Sequence, residues 1–241
     1  LICCEVFVRE IARLVAESPH TVDMEFVEKG LHDRGAAGMR TVLQGMIDTA
    51  ARGPYDAVLM GYGLCNGGMA GLRANRVPLV IPRAHDCISI LMGSATHHAD
   101  YHRAHPGTYY LSPGWIERSD TTSQPGAPRD AAFGMERARM VELYGEDNAD
   151  YLISVASAGE SHYNRIVYIA SAPDPGGRFE REAVARAHQR GWEFQRLDGS
   201  TRMLAALING PWTAPDFVVV RPGEESAASY DDTVLTARPV R

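Results

Sequence analysis

The chain has 241 residues, 45% of them hydrophobic and 22% charged, with a formal net charge of −6. That length holds one large domain or two small ones around an independent core, and the composition is that of an ordinary soluble globular protein. The acidic balance argues against nucleic acid as the principal partner, because phosphate binding needs clustered Lys and Arg, and no apolar run approaches the roughly 18 residues that span a bilayer. No leader pattern is visible and four cysteines are not needed as staples at this size, so a reduced, cytoplasmic setting is expected.

Taken in order, Leu1-Ile2 is a short apolar run that stops at Cys3 and Cys4. The stretch EVFVREIARLVAES then sets Val6, Ile11, Leu14 and Val15 on one helical face and ends at Ser18-Pro19. Val22 to Val27 predicts a strand, and Met39 to Ala51 a helix with apolar residues at three- and four-residue spacing. Gly53-Pro54 turns the chain into Ala57 to Met60, which, like Leu79 to Ile81, is too short for a helix but suits a buried parallel strand.

Beyond Cys87, Ile88 to Met92 begins a helix that restarts at Ser94 as SATHHADYHRAH, and after Pro106-Gly107 the segment GTYYLSPGWIE is expected to be extended. TTSQPGAPRD, Thr121 to Asp130, is the most loop-like window and the natural boundary, followed by helices over Phe133 to Tyr144 and Asn148 to Ala156. From Arg165 the first half recurs: Ile166 to Ala170 matches the opening strand, Glu180 to Gln189 its helix, and Thr201 to Asn209 with PWTAPDFVVVRPGE matches Thr41 to Asp48 with GPYDAVLMGYGL. The expectation is an α/β protein of two similar doubly wound halves with mostly parallel sheets. Residues 1–120 would carry the site, 121–164 would link, 165–241 would form the second half, and a crevice would lie between the halves.

All four cysteines fall at predicted strand ends. Carboxyl ends of strands form the ligand crevice of open α/β sheets, so Cys4, Cys65 and Cys87 would share one rim, with Cys3 alternating into the core. Three thiolates on one rim would repel unless a cation sat among them. With no C-x-x-C pair the pattern is neither a zinc finger nor a ferredoxin, and three widely spaced ligands would leave the open fourth position of a catalytic zinc site. The competing reading is that small buried thiols simply pack.

His85, two residues before Cys87, could replace a thiolate or act on the substrate, while Asp86 caps the next helix. His97, His98, His102 and His105 read as a solvated helical face. Arg83 is a candidate for a forked anion contact, Tyr109, Tyr110 and Trp115 for the crevice wall or the core, and Glu117 for a general base. The glycines of GYGLCNGGMAG match a phosphate loop only in part, and more simply allow the turn that exposes Cys65.

YDAVLMGYGLCNGGMAGL, VPLVIPRAHDCISILMGS and HPGTYYLSPGWIE, in that order, resemble the blocks of the family known as domain of unknown function 1638, with CEVFVRE and FVVVRPGE similar to its ends. The matching positions include Cys4, Glu5, Cys65, Arg83, His85, Asp86, Cys87, Tyr109, Tyr110, Trp115 and Glu117, and Cys3 is an additional thiol that leaves open which of the first pair is the ligand. The resemblance implies, by association, one-carbon metabolism beside corrinoid-dependent methyltransferase systems. The expected function is therefore a zinc-dependent transfer of a methyl or other one-carbon group to a small substrate, with a corrinoid protein or methyltransferase as a possible partner. The alternatives are a lyase or desulfurising enzyme with a three-cysteine 4Fe-4S cluster, and a non-catalytic accessory protein of a methyltransferase system.

Overall fold

In the computed structural model, Ile2–Cys4 forms β1, a three-residue strand flanked on both sides by parallel neighbours: β2 (Glu25–Val27) and β3 (Val58–Gly61). β4 (Leu79–Pro82) adds in parallel to β3, and β8 (Phe217–Val220) closes the edge antiparallel, giving the order β2-β1-β3-β4-β8. The structure describes residues 1–120 and 162–240 apart from 230 and 232, together with 141, 145 and 146. The helices expected over Phe133–Tyr144 and Asn148–Ala156, and the Thr121–Asp130 boundary, lie outside the described residues save for these few.

Strands this short are held by burial on both faces rather than by their ladders. Every residue of β3 and β4 is buried, as expected for parallel strands covered above and below. On one face α2 (Gly35–Ala50) lays Met39, Leu43 and Ile47 against Ile2, Met60 and Ile81. On the other, α1 (Val8–Ala16) contributes Ile11 and Leu14, and α7 (Arg202–Asn209) contributes Met203, Leu204 and Leu207. Fully burying each such side chain is worth about 1.5–3 kcal/mol.

A second sheet, β5-β6-β7 (Thr108–Leu111, Arg165–Ala170, Glu193–Asp198), is parallel throughout and is covered by α6 (Arg178–Arg190) through Phe179, Ala183 and Ala187. β9 (Glu224–Ala228) and β10 (Leu235–Pro239) form an antiparallel hairpin.

The architecture is thus mixed α/β with mostly parallel sheets, and the expected duplication is not shown. β6, α6 and β7 do follow β1, α1 and β2 in order and pairing. However, β8, the counterpart of β3, joins the first sheet beside β4, and the position next to β6 that it would fill is taken by β5. Each sheet borrows a strand from across the expected boundary. Sequence likeness records what a segment is made of, but an apolar strand can pair on whichever edge is open.

One local expectation also changes. GTYYLSPGWIE is not extended throughout but splits into β5 and the short helix α5 (Pro113–Glu117). Ser112 accepts a hydrogen bond from the Trp115 backbone N–H, and Pro113 occupies the first turn. A Ser-Pro start of this kind is a sequence-level helix signal.

Candidate thiol site

Because β1, β3 and β4 run parallel, their carboxyl ends meet at one edge. Cys4 ends β1, Cys65 follows β3 after a tight loop, and Cys87 opens α3 (Cys87–Leu91) just past β4. Two backbone hydrogen bonds extend the β3–β4 pairing beyond the strands: Leu64 N–H donates to the Ala84 carbonyl at 2.7 Å, and Cys65 N–H to the His85 carbonyl at 3.0 Å. Gly63 permits that approach, since a Cβ there would lie 2.7 Å from the Asp86 nitrogen. Cys65 and Asn66 then adopt left-handed backbones, φ 44° and 55°. Such a conformation costs a residue with a side chain roughly 1–2 kcal/mol, and strain of this kind clusters at functional sites.

The three thiols line one enclosed cavity of about 40 Å³, together with Tyr62, Lys29 and Trp115 over an apolar floor. A single water needs about 10–15 Å³ of such volume, so the space suits one ion and a very small ligand. Burial is the first cause that raises every sulfur, with Glu5 adding to it at Cys4 and neighbouring thiols and acids at Cys3, Cys65 and Cys87. Cys4 is pushed up to about 11 and Cys65 to about 12, while Cys87 and Cys3 lie well above the ordinary thiol range. Cys65 and Cys87 each feel Cys4, and Cys87 also feels Cys65. All are neutral at pH 7, and ionising them together needs a cation among them.

The Trp115 indole N–H donates to Cys87 Sγ at 3.3 Å, which favours the thiolate. The Lys29 ammonium lies 5.3 Å from the centroid of the Trp115 ring, and the Lys29 backbone N–H is held by the Glu5 carboxylate at 3.0 Å. The Tyr62 side chain is only 4% exposed, and its hydroxyl has no hydrogen-bond partner among the described residues. Cys3 stays in the core with weak contacts from its thiol to the carbonyls of Cys4 and Gly61.

No group of three or more His, Cys, Asp or Glu side chains among the described residues stands as a ready-made metal site. The donor chemistry nonetheless fits a soft cation: three thiols on one cavity, each raised by burial and by its neighbours. Binding one ion would have to draw the sulfurs together.

The other candidates stand elsewhere. His85 is exposed, and its carbonyl accepts the hydrogen bond from the Cys65 N–H. Asp86 caps α3, accepting from the Ser89 N–H at 2.8 Å and hydroxyl at 2.9 Å, and Ser89 reaches His98 Nδ1 at 2.9 Å. Burial lowers the His98 pKa. Helix α4 (Ala95–Ala104), which carries His97, His98 and His102, has no buried residue, and His105, its C-cap, faces Arg165. Tyr109 packs edge-on to Tyr163, away from the thiols, and Tyr110 against His98.

Arg83 donates to the carbonyls of Phe217, Thr233 and Leu235, tying the β9–β10 hairpin to the first sheet. Glu117 is clamped by Arg9 through two bonds at 2.7 and 2.8 Å, and that guanidinium lowers its pKa. Both geometries are structural, the reverse of a waiting anion site or a base poised near neutrality. Accordingly, Arg83→Ala is expected to destabilise the fold by about 2–3 kcal/mol, since it orphans several carbonyls at once, without changing metal uptake. Glu117→Gln should likewise leave metal uptake unchanged. Urea melts and metal titration read the two effects separately.

Tyr62 and Lys29 were not singled out by the sequence. Tyr62 sits inside the glycine turn that the sequence marks as a partial phosphate-loop match or as the turn exposing Cys65, and nothing in the spacing around Lys29 marks it. A much larger groove, about 920 Å³, opens at the opposite edge of the sheet between Thr21–Glu25, Pro54–Leu59 and Ile208–Trp212. It holds no cysteine, and its Tyr55 hydroxyl is already bonded to Asp23 at 2.6 Å. The smaller cavity is where the reactive groups converge.

The profile of the family described as protein of unknown function DUF1638 matches residues 26–208, more than half of the chain. The chain belongs to that family. The DUF1638 match takes in Cys65, Cys87, Tyr62 and Trp115, whereas Cys4 precedes it. No curated protein and no solved structure matches this DUF1638 chain. Among its described residues no helix is long and apolar enough to cross a membrane.

Proposed function

We propose that this DUF1638 protein is a metal-dependent enzyme in which Cys4, Cys65 and Cys87 hold one soft divalent cation, zinc by preference, and leave a fourth position for a small substrate. The convergence of three half-buried thiols from three strand ends on one cavity carries the reading. The cation would supply Lewis acidity, lowering the pKa of a thiol or water bound at that position. Trp115 holds the Cys87 sulfur in place by its N–H, and the apolar floor keeps bulk water out. Lys29 brings a positive charge to a site whose three thiolates and divalent cation would together carry one negative charge.

A cavity of about 40 Å³ favours a single ion over a cube of iron and sulfide atoms. The reaction best suited to a soft, enclosed and nearly neutral site is transfer of a methyl or other one-carbon group to a small thiol. The acceptor sulfur would lose its proton to solvent on binding and then form the new S–C bond, while the donor leaves with the electron pair of its broken bond to that carbon. The resemblance set out above makes a corrinoid methyltransferase system the setting to examine first.

Protein purified anaerobically should contain about one equivalent of zinc or a similar metal, as expected of a mononuclear site. Less than about a tenth of an equivalent of any transition metal, with none taken up on addition, would count against the proposal.

A further inference from the structure

Helix α4 packs beside α3, the short helix that opens at Cys87, yet it buries none of its own residues. Apolar burial therefore does little to hold it, and polar contacts must. Two of its side chains make short bonds to other elements: the Tyr101 hydroxyl donates to Gln195 Oε1 on β7 at 2.7 Å, and His98 meets Ser89 on α3.

The His98 contact has a direction. Asp86 Oδ1 accepts from the Ser89 N–H at 2.8 Å and from the Ser89 hydroxyl at 2.9 Å. A serine hydroxyl has one proton, and a carboxylate, as a charged acceptor, draws it more strongly than an imidazole does. Ser89 Oγ is then left to accept, so His98 Nδ1, 2.9 Å away, carries a proton and donates it. Neutral His98 is thereby held as the tautomer with Nε2 bare. Ser89 is fully buried, and the His98 side chain is only 14% exposed.

A second proton on His98 goes to Nε2, and the surroundings oppose that charge. His97 and His102 share α4, His85 precedes the Asp86 cap, and the Tyr110 ring of β5 packs T-shaped against the imidazole at 5.3 Å. Burial lowers the His98 pKa from its ordinary value of 6.5, and the three histidines lower it further. Asp86, 3.6 Å from Nδ1, pulls the other way without reversing the shift. The neutral imidazole thus belongs to the packed helix. The contact is complete above the ordinary imidazole pKa and weakens as the pH falls below it.

We propose that His98, Ser89 and Asp86 form an acid-sensitive latch, in which protonation of His98 releases α4 from α3 while the Asp86 cap keeps α3 in place. The latch needs no bound metal and is independent of the function proposed above.

Amide hydrogen exchange of the full chain, corrected at each pH for the intrinsic rate, reads the opening of α4. In wild type, exchange across Ala95–Ala104 should rise about threefold or more between about pH 7.5 and pH 5, and exchange across Cys87–Leu91 should change less. The rise should begin near the ordinary imidazole pKa and level off below the pKa that imidazole NMR measures for His98. The same spectra should show Nε2 unprotonated at the higher pH. His98→Gln keeps an amide donor for Ser89 without a titrating ring, so its α4 exchange should be nearly flat with pH.

Wild-type α4 exchange that stays flat over this range, or that rises equally in His98→Gln, would overturn the proposal. A His98 pKa at or above the ordinary value, or a neutral His98 protonated on Nε2, would do the same. If His98→Gln does not fold, the wild-type exchange and NMR titrations decide between these outcomes on their own.

Discussion

Serine in place of Cys4, Cys65 or Cys87 is expected to weaken zinc binding by about a hundredfold or more, while Cys3→Ser leaves it nearly unchanged. The contrast follows from position. Three of the thiols line the cavity, whereas Cys3, adjacent in sequence to Cys4, is fully buried in the core and does not line it. Protons give the sharper reading.

Burial holds each cavity thiol protonated, with Cys4 up to about 11, Cys65 to about 12 and Cys87 well above the ordinary thiol range. Binding a cation at neutral pH therefore expels one proton from each sulfur. Affinity must rise with pH, by up to about a thousandfold per unit while three protons leave, and by only about a hundredfold per unit once a serine has removed one of them. Chelator competition over a range around neutrality measures the slope. A wild-type slope of one proton or fewer would mean that the thiols do not bind as a set.

The second large effect is steric. A Cβ at Gly114 would sit 1.7 Å from the Val6 carbonyl oxygen, which is backbone on both sides and cannot rotate away. This close approach seats α5 against the short 3-10 turn Glu5–Phe7 that follows Cys4, and so sets Trp115 over Cys87. Gly114→Ala should cost about 3 kcal/mol or more, at the upper end of overpacking effects, and should lower metal affinity as the indole N–H leaves the sulfur. Gly45→Ala is the counterpart. Nothing lies within 4 Å of its Cβ on the exposed side of α2, so the alanine should stabilise by about 0.5–1 kcal/mol. Denaturant titrations that put Gly114→Ala within about 1 kcal/mol of wild type would mean that the two segments are not in contact.

The sequence made some of this legible for clear reasons. Runs such as Val58–Gly61 and Leu79–Pro82 are apolar at every position because both faces are covered, and parallel pairing then brings Cys4, Cys65 and Cys87 to a common edge. Asp86 before Cys87 read as a helix cap and is one. What stayed hidden depended on pairing and on side-chain environment. Nothing in FVVV states that β8 would run antiparallel to β4, or that β5 would take the place beside β6. Arg83 and Glu117 have the chemistry of a site, but three carbonyls and one guanidinium, all distant in sequence, claim them. Tyr62 was overlooked because an aromatic residue among glycines looks like packing until its hydroxyl is found without a partner.

The most direct test is X-ray absorption at the zinc edge on protein loaded with one equivalent under anaerobic conditions. Three sulfur neighbours at about 2.3 Å with one lighter or exchangeable atom would agree with the account. A shell of nitrogen and oxygen alone, or a single sulfur, would contradict it and leave Cys4, Cys65 and Cys87 as thiols that only pack.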